Sequence, residues 1–188
     1  MTAARTGGFA DPPRTAARAF RAALEALSRP GRILGVEGAA PPAPLSVAAG
    51  VLLLTLTDRT APVHLAGRHD TADIRDWLAF HTGAPLAPAR EAAFAVGTWD
   101  ALQPLDRFPM GLPAYPDRSA TLIVEVPALA AEGALLRGPG IAGTARLPVP
   151  DPAALRANRA LFPLGLDMFL TCGSALAGLP RSTIVGDA

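Results

Sequence analysis

The residues best suited to chemistry in this chain are its arginines. All 17 basic residues are Arg and none is Lys, which excludes a Schiff-base lysine, a phosphate-loop lysine and a lysine general base. What remains is guanidinium chemistry, a planar fork of donors that matches phosphate and carboxylate oxygens two at a time. Arg29 and Arg32 flank the stop Ser28-Arg29-Pro30-Gly31; they could hold a phosphate there or simply decorate a solvated helix end. The densest polar cluster is Tyr115-Pro116-Asp117-Arg118-Ser119. It reads as a turn, with Pro116 fixing φ and Asp117 and Ser119 able to bond nearby backbone N–H groups. It stands at the mouth of a strongly apolar stretch, where a rigid scaffold holds binding groups still. The alternative is that Asp117 and Arg118 pair with each other and cap a loop.

The other reactive residue types form no constellation. His64, His69, His81 and Cys172 have none of the paired spacings that a zinc site uses. His81 falls on the apolar face of its helix beside Thr82 and Gly83, so it is either a hydrogen-bonded core residue or the wall of a site. Cys172 lies in an apolar run and reads as packing. Gly138-Pro139-Gly140-Ile141-Ala142-Gly143 matches G-x-G-x-x-G. A dinucleotide fingerprint needs a helix starting at those glycines, whereas Thr144 to Pro150 is extended and broken by two prolines, so the stretch is a turn. No nucleophile elbow accompanies any Ser-His-Asp set.

The elements that must position these groups follow from periodicity. Residues 14–27 predict an amphipathic helix, with Ala17, Phe20, Leu24 and Leu27 on the buried face and Arg14, Arg18, Arg21 and Glu25 on the other. Residues 45–56 are apolar nearly all round and long enough for a buried helix. A short strand is expected at 62–65, then a helix capped by Asp70 and Thr71, with Ile74, Trp77, Leu78 and His81 inward and Gly83 at its end. Strands are expected at 92–96 and 120–126, a short helical or irregular segment at 99–105, and a helix over 152–162 opened by Asp151 and Pro152. A strand over Asp167–Cys172, a small-residue loop and a terminal strand at 182–185 complete the chain. Helices interleaved with buried strands argue an α/β fold, a mixed sheet flanked by helices.

Composition sets the outer limits. At 188 residues the chain suits one domain; residues 1–8 are expected to fray and 9–188 to form that domain. A net charge of +1 is no field for neutralising many phosphates, so nucleic acid is not an expected partner. No apolar stretch reaches the roughly 20 residues a membrane span needs, and no apolar core of a secretory signal precedes Asp11. With one cysteine there is no internal disulfide, and the expected compartment is the cytoplasm. Charged residues are only 18%, against about 25% in an average domain, so some apolar surface is expected to be covered by other chains.

Several motifs carry a family resemblance. YPDRSATLI, GPGI, the 158–167 run NRALFPLGLD and the 179–183 run LPRST resemble, in order and spacing, the PhnH family of the bacterial carbon-phosphorus lyase system. Upstream, GFADP at 8–12, FRAALEALSRPGRI at 20–33 and FHTGA at 80–84 resemble it as well, so the likeness covers almost the whole chain. The resemblance implies a fold like that of pyridoxal-phosphate transferases, without the cofactor and with no other; a lysine-free chain could not form the internal aldimine in any case. It also implies a homodimer and a core complex with PhnG, PhnI and PhnJ subunits, acting on a phosphonate and a nucleoside triphosphate. That complex displaces adenine and leaves the ribose triphosphate on the phosphonate. The carbon-phosphorus bond breaks in a later iron-sulfur radical step, whose cluster one cysteine cannot carry. Two roles stay open: an interaction subunit without chemistry of its own, or a subunit binding phosphonate or nucleoside triphosphate through arginines such as Arg29, Arg118 or Arg181. The candidate ligand or partner residues are Arg29, Arg32, His81, Tyr115, Asp117, Arg118, Ser119 and Arg181.

Overall fold

The computed structural model describes residues 6–186. Its first helix, α1 (Pro12–Ser28), starts with prolines whose fixed φ suits the first turn. A short strand β1 (Ile33–Gly35) precedes α2 (Val47–Leu56), which Ser46 caps by accepting a hydrogen bond from the Ala49 N–H at 3.1 Å. Strand β2 (Val63–Leu65) leads through a 3-10 turn at Gly67–His69 to α3 (Ala72–Thr82). Thr71 caps α3 through the Ile74 N–H at 3.3 Å, and Gly83 closes it in the left-handed region, φ 68°. Next come β3 (Phe94–Thr98), α4 (Trp99–Leu102), β4 (Met110–Leu112), β5 (Tyr115–Ser119), β6 (Thr121–Glu125), β7 (Ala134–Arg137) and β8 (Ala145–Leu147). Helix α5 (Pro152–Ala160) is capped by Asp151, whose Oδ1 accepts from Ala153 at 2.9 Å and Ala154 at 3.0 Å. Strands β9 (Asp167–Cys172), β10 (Ala175–Leu179) and β11 (Ile184–Val185) end the chain.

Six strands form one mixed sheet in the order β1-β10-β9-β6-β3-β2. β2, β3, β6 and β9 run parallel, while β10 and β1 are antiparallel to their neighbours. Alternation along the strands feeds two cores. Val96, Ile123, Phe169 and Leu176 point to a core shared with α1, α2 and α3, where Leu52, Leu53, Ile74 and Trp77 are fully buried. Ala95, Leu122, Val124, Met168, Leu170 and Ala177 point the other way, against α5 and the small sheet β11-β7-β8. Covering both faces is what the near-continuous apolar run of β6 requires. Truncating Leu122 or Ile123 to Ala should cost about 2–5 kcal/mol, as for a buried aliphatic residue.

The structure departs from the sequence reading in four places. Tyr115–Ser119 is a strand, not a turn: it pairs with β4 as an antiparallel ribbon, Met110 opposite Ser119 and Leu112 opposite Tyr115, and the chain reverses just before it at Pro113-Ala114. The small-residue stretch after Cys172 is mostly strand β10, whose Ala and Gly residues lack the β-branched signature but let α1 approach closely. The apolar stripe of α1 is turned outward: Ala19, Ala23 and Ala26 are buried, while Phe20 and Leu24 are 53% and 58% exposed. Finally, of residues 1–8, those at 1–5 lie outside the described residues, and Thr6 and Gly7 are tied down. The Gly7 carbonyl accepts from the Ala40 N–H at 2.8 Å, and the Thr6 carbonyl from the Trp77 indole at 3.1 Å. The glycines 138–143 link the antiparallel strands β7 and β8, so no helix begins there.

Candidate functional site

Arg181 is where three of the sequence motifs meet. It follows β10, and its side chain is only 11% exposed. Nε donates to Asp167 Oδ1 at 3.0 Å and Nη2 to Oδ2 at 2.6 Å, a bidentate pair, and its backbone N–H donates to the same Oδ1 at 2.8 Å. Nη1 donates to the carbonyls of Pro116 at 2.9 Å and Pro163 at 3.4 Å, and Nη2 also donates to the Ser119 hydroxyl. A guanidinium taken out of water must find acceptors for its donors. Here they come from β5, from the loop after α5 and from the first residue of β9. Asn158 steadies that loop: its Oδ1 accepts from the Leu166 N–H at 2.8 Å and its Nδ2 donates to the Leu166 carbonyl at 2.9 Å. Arg181 and Ser119 are therefore joined in an internal tie.

On the solvent side of this tie lie exposed aromatics. The Arg118 guanidinium carbon sits 4.1 Å from the centre of the Tyr115 ring, and that of Arg159 sits 4.9 Å from the centre of Phe162. Tyr115 and Phe162 directly precede Pro116 and Pro163, whose carbonyls share Arg181 Nη1, so both rings belong to one neighbourhood. Leu112 and Leu161, also exposed, flank it. Asp117 is exposed and no ion pair joins it to Arg118, whose guanidinium lies on Tyr115 instead. The arrangement can do two things chemically: stack flat groups against the cations, and bury apolar area with a partner.

The remaining candidates lie elsewhere. Arg29 and Arg32 both turn back to Glu25, at 3.7 Å and 2.5 Å, on an exposed helix end. His81 is half-buried near the end of α3. Its Nε2 lies 3.2 Å from the Thr6 carbonyl, which can only accept, so the ring holds the N-terminal segment with Trp77 and Phe80 packed beside it. Cys172 Sγ donates to the Pro127 carbonyl at 3.4 Å. No cluster of three or more metal-ligating side chains occurs among the described residues.

Two titratable groups, Glu125 half-buried and His69 buried, escape a sequence reading because nothing local marks them. Glu125, at the carboxyl end of β6, accepts from the Ser46 N–H at 2.7 Å and from the Thr171 hydroxyl at 3.2 Å. Burial pushes its pKa up, against those hydrogen bonds. His69 is 0% exposed and neither ring nitrogen has a partner among the described residues. Burial first, then the charge of Arg68, pushes its pKa down. One residue on, Arg75 grips Asp70 with two bonds, 2.5 Å and 2.6 Å, which lowers the Asp70 pKa.

Fold and site together define a single mixed α/β domain, with α1, α2 and α3 on one face of its sheet and α5 with a small antiparallel sheet on the other. Among its motif residues, Arg181, Asp167 and Ser119 form an internal tie beneath an aromatic surface. The family model described as "Bacterial phosphonate metabolism protein (PhnH)" matches residues 7–186, and the chain belongs to that family. It is 42% identical over 187 residues, 95% of this chain and 94% of the relative, to "Alpha-D-ribose 1-methylphosphonate 5-triphosphate synthase subunit PhnH" of Rhizobium meliloti (strain 1021). It is 32% identical over 177 residues, 88% of this chain and 83% of the relative, to "Putative C-P lyase subunit protein HtxG" of Stutzerimonas stutzeri.

Proposed function

We propose that this chain is an interaction subunit of a carbon-phosphorus lyase core complex. The complex joins a phosphonate to the ribose triphosphate of a nucleoside triphosphate, and the chain works in the cytoplasm beside PhnG-, PhnI- and PhnJ-type subunits. The relative named as a synthase subunit supports the assembly and its product class. The observation that carries the interaction role is the state of Arg181: Nε, Nη1 and Nη2 all donate to protein acceptors, leaving no nitrogen of the motif arginine free for an anionic substrate. What the tie presents outward is a surface of Leu112, Tyr115, Arg118, Leu161 and Phe162, of the aromatic and arginine composition that interfaces favour. The outward stripe of Phe20 and Leu24 supports two-fold self-association as well.

Co-expression with the other core subunits, followed by affinity capture of this chain, tests the reading. Recovery of the assembled complex is expected, and the isolated chain should show no adenine release from ATP and methylphosphonate. Capture of this chain alone, or turnover by it alone, would overturn the proposal. Light scattering of the isolated chain should give a dimer mass, and a monomer mass over a wide concentration range would remove the self-association.

A further inference from the structure

Among the described residues, the β1 end of the central sheet is an open edge. The Val36 N–H donates to the Ser174 carbonyl at 2.8 Å, continuing the register in which Leu34 faces Leu176. In an antiparallel ladder the residues that exchange hydrogen bonds alternate, so Leu34 and Val36 are turned toward β10. Ile33 and Gly35, between and before them, have their N–H and C=O groups turned outward. Beside this edge lies a cavity of about 720 Å³. Ala19, Ala22 and Val36 give it apolar walls, Arg18 enters from α1 and Glu37 from the segment after β1. Neither Arg18 nor Glu37 has a salt bridge or side-chain hydrogen bond among the described residues. Gly35 has nothing within 4 Å of where a β-carbon would stand, so the sheet face at that position is open.

We infer that this edge receives an extended peptide segment from another subunit, which adds as a seventh strand. Its main chain pairs with Ile33 and Gly35. One side chain enters the cavity over Ala19 and Ala22, and its charged groups complement the two unpaired ones, a carboxylate on Arg18 and a cation on Glu37. Strand addition of this kind takes affinity from main-chain bonds and selectivity from side-chain pockets. The inference rests on the multi-subunit reading above, but concerns a different face from the aromatic surface.

The test compares Gly35→Pro with Gly35→Ala in the full chain, co-expressed with the other core subunits. Proline deletes the outward N–H, which serves no bond among the described residues, and fixes φ, both of which an edge strand tolerates; alanine keeps that N–H and fills open space. Assembly by the proline variant is expected to weaken about tenfold, the loss of roughly one good hydrogen bond with its geometry, while the alanine variant assembles normally and both keep the parent melting temperature. Arg18→Glu, on an exposed helix flank, should weaken assembly without touching the fold. In hydrogen exchange, the Gly35 amide should exchange freely in the isolated chain and be protected in the complex. An intact complex with Gly35→Pro and an unprotected Gly35 amide overturns this inference and leaves the assembly reading standing. Failure of the parent chain to assemble overturns both. Protection that grows with concentration of the isolated chain assigns the edge to a second copy and overturns the claim that another subunit fills it.

Discussion

Gly178 lies directly beneath Ala26: a β-carbon at residue 178 would stand 2.5 Å from the Ala26 carbonyl oxygen and 2.6 Å from the Leu27 nitrogen. Helix α1 thus rides on β10 backbone to backbone, which only a small-residue face can do, and Phe20 and Leu24 are displaced to the outside. Gly178→Ala should force the helix off the sheet and cost about 1–3 kcal/mol, the range for overpacking. At concentrations low enough to keep the chain monomeric, Phe20→Ala should change stability by about 0.5 kcal/mol or less, as for a surface site. Urea denaturation of the two variants checks the contrast; a costly Phe20→Ala beside a harmless Gly178→Ala would mean that the helix is rotated the other way.

That pair also explains what the sequence leaves hidden. Local signals are reliable here: Asp151 and Pro152 open α5, Thr71 and Gly83 bound α3, and the apolar runs of β6 and β9 lie within a residue of where their composition puts them. The orientation of α1 is not local, because it is set by a glycine 152 positions after Ala26, and the 3.6-residue period ranks Phe and Leu above Ala as core residues. Tyr115–Ser119 carries turn-forming residues yet pairs as a strand because β4 and the tie at Arg181 hold it extended. The role of Arg181 is illegible for the same reason: its acceptors stand 14 to 65 residues away. The motifs identify the family through order and spacing, but not that their side chains are spent on one another.

The Arg181–Asp167 pair is partly shielded, at 11% and 27% side-chain exposure. Removing one partner of such a pair strands the other, and Arg181→Gln or Asp167→Asn should each cost about 3 kcal/mol, the lower part of the range for buried pairs. The double variant should cost less than the sum of the singles, because each change already forfeits the same bidentate bond. A denaturation double-mutant cycle measures the coupling. Additive costs would show that the two side chains are independent and that Arg181 has another use.

Half-buried Glu125 and buried His69 give stability a defined pH profile. Because burial raises the Glu125 pKa above its ordinary value of 4.5, the folded state holds that proton over a window in which the unfolded chain has lost it. Stability is therefore full below the ordinary value and falls as pH rises through the window. Glu125→Gln keeps an acceptor for the Ser46 N–H, so it should be more stable than the parent at about pH 8 and lose that advantage in acid. His69, lowered from 6.5, works in the opposite sense: the unfolded chain takes up a proton first, so stability falls as pH drops below 6.5. His69→Leu should flatten that limb. Urea midpoints across pH for the parent and both variants decide it, and parallel profiles would place both groups in water.

The exposed surface above the tie should separate stability from assembly. The Arg118 side chain stacks on Tyr115 and forms no ion pair with Asp117, so Arg118→Ala forfeits an exposed cation–π contact of about 0.5–1 kcal/mol. Phe162→Ala removes an exposed ring and should cost no more than that. If another subunit covers this surface, the same substitutions remove arginine and aromatic anchors from a desolvated contact, where truncation costs about 2 kcal/mol or more of binding. The expected result is two variants with nearly parental melting temperatures that no longer capture the other core subunits. Asp117→Asn, which alters charge at the rim without removing an anchor, should slow association in low salt and leave the final complex intact. Arg118→Ala and Phe162→Ala that assemble like the parent would leave the tie as the whole role of the 115–119 segment, and the contact would have to lie on another face.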